Sequence, residues 1–200
     1  RLHPEDDRDV EQRERQDRVD EALALIERKK LRKAEKQLIE LLLQYPGYHM
    51  VQYGMGTLYA IKGQIDEAIS HFRKAVDIFP YFAEAYFNLG VAYKKKLDIS
   101  NMVKCLDKET RLSDIKTNIY KQAKSLIADL ENLVIEQHGT DLETYTKAQE
   151  QFHFGVKLME RREWEKAIHT FVAAERIVNA IPQVYGNLGI CYAQLGRKSE

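Results

Sequence analysis

The chain carries no surplus charge of either sign, since 31 Lys and Arg balance 31 Asp and Glu. Without a net field nothing draws it toward a phosphate backbone or an anionic bilayer, so neither nucleic acid nor a membrane is an expected partner. Cysteine is scarce. Cys105 and Cys191 stand far apart and follow neither a disulfide-framework nor a zinc-ligand spacing. Both are expected as free, partly buried thiols, which suits a reducing compartment, and a cytoplasmic location is expected. No apolar run approaches the roughly 20 residues that a membrane-spanning helix needs. What remains is 200 residues, enough for one or two domains and a substantial core.

The chain repeats itself. Leu58-Tyr59, Gly63, Asp66-Glu67-Ala68, Phe72, Ala75 and Pro80 form one unit, and Tyr86, Leu89, Gly90 and Tyr93 open the next. Gly56 and Gly90 stand 34 residues apart (90 − 56), as do Gly155 and Gly189 (189 − 155). Gly155, Leu158, Ala167, Phe171 and Ala174 carry the pattern on, and Tyr185, Leu188, Gly189, Tyr192 and Gly196 start it again. A weaker first copy reads Ala22, Leu25, Ala34, Leu38, Leu41 and Pro46. A fixed period of this size marks a solenoid, in which stacked neighbours bury the apolar face that one unit cannot bury alone.

In spacing and residue type this pattern resembles the tetratricopeptide repeat. That family has two antiparallel helices per unit, with an aromatic, Leu, Gly and Tyr on the first and Ala, an aromatic and Ala on the second. The resemblance implies an all-α, right-handed superhelical solenoid. Gly56, Gly90 and Gly155 are expected to let helix backbones approach closely, facing Ala68 or Ala167, with Tyr59, Phe72, Tyr93 and Phe171 filling the space beside them. Pro46 and Pro80 cannot sit inside a helix and mark boundaries between units.

The departures from the pattern are also informative. In the third unit Leu97 stands where Gly is usual, and Met102 and Glu109 replace two small alanines, so loose packing is expected there. Between Gly90 and Gly155 the spacing is 65 (155 − 90), three short of two periods. Within that gap Ile115, Ile119, Ala123, Leu126, Ile127, Leu130, Leu133 and Val134 recur at helical spacing. They predict one long junction helix from Asp114 to about His138, in a segment 113–139 ended by Gly139. Thr140-Asp141-Leu142-Glu143 then reads as a capping box opening the next helix. The expected organisation is a charged extension at 1–20, three repeats over 21–112, the junction helix, and over 140–200 a fourth repeat with the first helix of a fifth. From Glu5 to Arg18 almost every residue is charged or polar, which predicts a solvated helix from about Asp9 or a mobile extension. The chain begins at Arg1 without a Met and Glu200 falls partway through a repeat, so a piece of a longer protein is expected, with either self-association through the uncovered last helix or fraying beyond about Ile181.

Nothing in the chain assembles a catalytic motif. Gly54-Met55-Gly56 lacks the preceding strand and third glycine of a phosphate loop and lies within a predicted helix, where packing explains it. Glu150 and His153 make one Glu-x-x-His pair, whereas di-metal helical sites need two such pairs and further carboxylates. His71 and His169 fall on second helices as surface histidines. No Ser or Cys stands beside a plausible base. The chain is expected not to be an enzyme and to hold no cofactor or metal.

The resemblance assigns a binding role to the face of each first helix that points away from its partner. Here that face carries Met50, Tyr53, Thr57, Phe87, Asn88, Val91, Phe152, His153, Val156, Asn187 and Ile190. Asn88 and Asn187 recur at one place in the repeat, and an Asn side chain both donates to and accepts from a peptide backbone. Chaperone-binding members of the family clamp a C-terminal carboxylate with Lys, Asn and Arg at set places on three first helices. The matching places here hold residues such as Val19, Leu23, Gly54, Glu84 and Asn88, with no cationic pair. The expected partner is therefore an apolar or mixed protein segment rather than an acidic tail, and the expected role is a scaffold or adaptor. The alternative is a regulatory or substrate-recruiting arm of a larger enzyme. The junction helix is a second possible binding surface.

Overall fold

The computed structural model describes residues 4–178 and 181–196, with side chains from Asp9 onward. Among these residues the protein is all α-helix. In chain order the helices are α1 (Pro4–Glu27), α2 (Leu31–Gln44), α3 (His49–Ile61), α4 (Ile65–Ile78), α5 (Ala83–Lys95), α6 (Ile99–Leu112), α7 (Asn118–His138), α8 (Leu142–Glu160), α9 (Trp164–Ile177) and α10 (Gln183–Gln194). Two compact units divide between residues 123 and 124, inside α7. In the first, α1 packs on α2, α3 on α4 and α5 on α6, while the first helices α1, α3 and α5 also meet in succession. In the second, α8 packs on α9, and α10 on both.

The second helices are amphipathic with one shared pattern. Ala34, Leu38 and Leu41 are buried on α2, Ala68, Phe72 and Ala75 on α4, and Ala167, Phe171 and Ala174 on α9. Residues four and three apart share one helical face, so each helix offers a narrow apolar stripe to its partner. The small first residue of the stripe sits near the turn, and the large middle residue reaches across. A Cβ placed on Gly56 would stand 2.6 Å from the ring of Phe72, and one on Gly155 would stand 2.6 Å from Phe171. The glycines thus make room for the rings at the middle of the stripe, rather than for Ala68 or Ala167 as expected from sequence.

The turns inside the pairs share one geometry. Lys29, Gly63, Leu97 and Arg162 all lie in the left-handed region, with φ between 57° and 77°. The next residue in each case donates its N–H five residues back: Lys30 to Leu25, Gln64 to Tyr59, Asp98 to Tyr93 and Glu163 to Leu158, at 2.8–3.0 Å. This is the Schellman ending, which satisfies carbonyls that the helix terminus leaves open. Only one of these four positions is a glycine, and the other three carry the strain of a side chain at positive φ.

The third repeat departs from expectation in an informative way. Its second helix is not loosely packed: Met102 and Leu106 are buried, and Asp98 caps it by accepting from the Asn101 N–H at 3.1 Å. The anomaly is Glu109. It is wholly buried where other repeats place Ala75 or Ala174, and neither carboxylate oxygen has a hydrogen-bond partner. Burial raises its pKa. The nearby Ser113 hydroxyl acts the other way, and the negative charge of Glu84 adds to the rise.

Three other boundaries fall differently from the sequence reading. α1 is continuous from Pro4, and Val19, Ala22 and Ile26 are buried along it. Within the charged stretch, the Arg15 guanidinium lies 4.1 Å over the Tyr48 ring, Arg18 donates to Gln44 at 2.7 Å, and Tyr48 bonds Gln16. The long helix begins at Asn118, four residues late, because Asp114 accepts from the Lys116 N–H and Thr117 from the Tyr120 N–H, building a turn first. The cap of α8 is Asp141, not Thr140. Its carboxylate accepts from the Thr144 N–H and hydroxyl at 2.8 Å each, and these bonds lower its pKa, while Glu143 pairs with Lys147 instead of reaching back. Residues beyond Gly196, and with them the expected break in the last repeat, lie outside the described residues.

Candidate functional site

Six of the residues singled out from sequence, Met50 among them, lie in the first unit, on α3 and α5. Thr57, Asn88 and Val91 line a cleft of about 160 Å³, open to solvent, whose other walls are Ala60, Ile61, Ile65, Phe72, Ala92 and Lys95. On α5 the cleft residues Asn88, Val91 and Lys95 fall three and four apart, and on α3 Thr57, Ala60 and Ile61 do the same, which puts each set on one face. The Phe72 ring, admitted beneath α3 by Gly56, closes the floor. The lining is chiefly apolar, with the Asn88 amide, the Thr57 hydroxyl and the Lys95 ammonium as its polar groups.

Tyr53 stands beside this cleft and belongs half to the core. Its ring lies 5.8 Å from that of Phe72 and 4.9 Å from that of Phe82. Its hydroxyl accepts from the Asn88 amide at 2.8 Å. Burial raises the Tyr53 pKa, with Glu84 adding to the rise and the hydrogen bonds from Asn88 and Thr57 opposing it, so the phenol stays protonated. The bond fixes the Asn88 amide and leaves its carbonyl oxygen and second N–H for another partner. The Thr57 hydroxyl donates back to the Tyr53 carbonyl at 3.0 Å. Phe87 is half-buried on α5 and does not line the cleft.

The other five, Val156 among them, lie in the second unit. Phe152 and His153 are half-buried on α8, with ring centroids 5.7 Å apart, and Phe152 also approaches Phe171 at 5.7 Å. On α10 Asn187 is half-buried, and Ile190 is 50% exposed. Among the described residues no three His, Cys, Asp or Glu lie close enough together to hold a metal ion. His71, read from sequence as a surface residue, is half-buried. Its ring stacks on Tyr59 at 5.4 Å, and its Nδ1 bonds the Gln52 carbonyl oxygen at 2.8 Å. Because that oxygen can only accept, Nδ1 carries the proton, and burial lowers the pKa, assisted by Lys74. Cys105 and Cys191 are both buried, and burial pushes the Cys105 thiol up to about 12. No helix among the described residues is long and apolar enough to cross a membrane.

Sequence reasoning passed over Ala60, Ile61 and Lys95. The missed signal was the spacing itself: carrying Thr57 on by three and four, and Val91 on by four, reaches all three residues.

Comparison with known proteins agrees with this architecture. Residues 56–96 match a family described as TPR repeat, and residues 83–113 match one described as tetratricopeptide repeat. No curated protein matches. Among solved structures, the TPR domain of P58(IPK) is similar over 92% of this chain at 17% identity and a TM-score of 0.55, and the match spans 56% of that domain. The Sgt2 TPR domain from Aspergillus fumigatus is similar over 60% of this chain and 82% of its own, at 20% identity and a TM-score of 0.49. YrrB, described as a TPR protein with an unusual peptide-binding site, is similar over 91% of this chain and 78% of its own, at 17% identity and a TM-score of 0.46. Two family matches meeting over residues 56–113 show that stretch to be tetratricopeptide repeats, and the helix pairs on either side of it pack in the same way.

Proposed function

We propose that the first unit is a protein-interaction module that receives a segment of another protein in the cleft between α3 and α5. The observation that carries this is the cleft itself. Apolar walls from Ala60, Ile61 and Val91 surround an Asn88 amide held in place by Tyr53 and still able to donate and accept. A recognition site of this kind takes its affinity from apolar burial and its direction from a few fixed polar groups. Because the tyrosine orients Asn88 in advance, little side-chain freedom is lost on binding. The role is that of an adaptor or scaffold, and the only ionisable group lining the cleft is Lys95.

A selection of displayed random nonapeptides against the protein tests this reading, with the Val91→Arg variant as counter-screen. Val91 is half-buried at the mouth, so an arginine there fills the cleft while the helix tolerates it. Enriched peptides are expected to bind the parent protein and to lose about tenfold or more in affinity for the variant, at an unchanged melting temperature. Peptides that bind both proteins equally, or no enrichment at all, would exclude the cleft as the site.

A further inference from the structure

We infer that the segment received by this cleft carries an apolar side chain next to an internal Asp or Glu, whose carboxylate is held by Lys95. The inference rests on the cleft reading above and adds the chemistry of the occupant. Lys95 is exposed on the last turn of α5 and lines the cleft together with Ile61, Ile65 and Val91. Two nearby lysines at other places in the repeats already hold carboxylates, Lys62 with Glu35 at 2.8 Å and Lys96 with Asp66 at 2.9 Å. Lys95 has no such partner among the described residues. It is the only charged group of the lining. Its ammonium borders an apolar wall, so a segment seated there would exclude water and hold its carboxylate more firmly than open solvent does.

The opposite end of the same helix has the opposite sign. Glu84 lies in the first turn of α5 and is close enough to Tyr53 for its charge to raise the phenol pKa. An acidic side chain is thus repelled at the Tyr53–Asn88 end and attracted at the Lys95 end, which gives the segment a direction as well as a composition. Apolar burial beneath Val91 and the charge on Lys95 lie within one helical turn of each other, about 5–6 Å. In an extended segment, neighbouring residues are about 3.3 Å apart and those two apart are about 7 Å, so the acid falls one or two positions from the apolar anchor. A free C-terminal carboxylate is a different ligand. Display on the N-terminus of a coat protein excludes it from the selection.

The test is the composition of the enriched nonapeptides and its response to charge reversal. With the parent protein, Leu, Ile, Met or Phe followed or preceded within two positions by Asp or Glu is expected to dominate. Repeating the selection on Lys95→Glu should replace the acid by Lys or Arg, and a fluorescein-labelled acidic peptide from the first selection should bind that variant about three- to tenfold more weakly. Lys95→Arg, which keeps the charge, should bind that peptide within about twofold of the parent. If peptides are enriched that Val91→Arg blocks but Lys95→Glu leaves unchanged, the cleft stands and the acidic partner is wrong. Enrichment that is insensitive to Val91→Arg, or absent, overturns the cleft reading and this inference with it.

Discussion

The second and third repeats share one backbone but not one chemistry. Gly63 and Leu97 occupy the same left-handed turn position, with φ of 77° and 57°. Gly56 faces the flat, stiff ring of Phe72, whereas Gly90 faces the flexible end of Leu106. Ala75 closes the stripe of α4, and Glu109 closes that of α6. The fold therefore tolerates a poor residue at one position when its neighbours hold the helix in place. The cost stays local, as strain at Leu97 and as a buried carboxylate at Glu109. Each of these differences can be undone or imposed singly.

The largest expected effect is at Glu109. A buried polar group without a partner costs about 1–3 kcal/mol, and more if charged. Leu41 fills the equivalent place in the first repeat and is fully buried there. Glu109→Leu should therefore raise unfolding free energy by about 1–3 kcal/mol near neutral pH, as read from urea melts. The sign of the pH dependence follows from the raised pKa. The folded protein holds the Glu109 proton more tightly than the unfolded chain does, so stability is greatest below the ordinary carboxylate range. It is lost as pH rises from there toward the raised value, and is level above it. The stability difference between parent and variant should be smallest in acid and grow over that window. A pH-independent difference would mean that Glu109 does not titrate as a buried acid.

Next in size is the contrast between the glycines. Exchanging Gly for Ala inside a helix gains roughly 1 kcal/mol in propensity, while overpacking costs about 1–3 kcal/mol. At Gly56 the new methyl would stand 2.6 Å from a ring that cannot bend away, so Gly56→Ala should lose about 1–2 kcal/mol net. At Gly90 the nearest atom is a Leu106 methyl at 3.0 Å, and Gly90→Ala should fall within about 0.5 kcal/mol of the parent. Equal losses at both sites would remove the distinction between ring and aliphatic partner.

The smallest effects are at helix ends. Leu97 is exposed at positive φ, so Leu97→Gly should gain about 1 kcal/mol and move the third repeat toward the second. Asp141→Ala should lower the thermal midpoint slightly by removing the α8 cap.

Much of this architecture was legible in the sequence because periodicity records which face of a helix is buried. The spacing of Gly56, Gly90 and Gly155 gave the pair register, and the stripe on each second helix gave its buried face. Contacts within the pair were harder to read. Small residues on both helices suggested that glycine meets alanine, yet side chains lean toward the helix N-terminus and bring Phe72, not Ala68, against Gly56. Tyr53 shows a second limit. Its place on the outward face of α3 marked it for the cleft, but a long side chain can reach sideways, and its ring turns between Phe72 and Phe82 while its hydroxyl serves Asn88. Arg15 shows a third, because a charged stretch without an apolar stripe carries no sign that aromatic rings from the turn between α2 and α3 will cover one of its cations.

The central claim is that a partner segment lies between α3 and α5 in the first unit. Amide chemical-shift mapping of the isotope-labelled protein, titrated with a selected nonapeptide, tests it directly. The account predicts the largest shifts at Thr57, Ala60, Asn88, Val91 and Lys95, with the Asn88 side-chain amide moving as its free groups find the ligand. Shifts centred instead on α7, on the second unit or on the outer faces of α4 and α6 would contradict it.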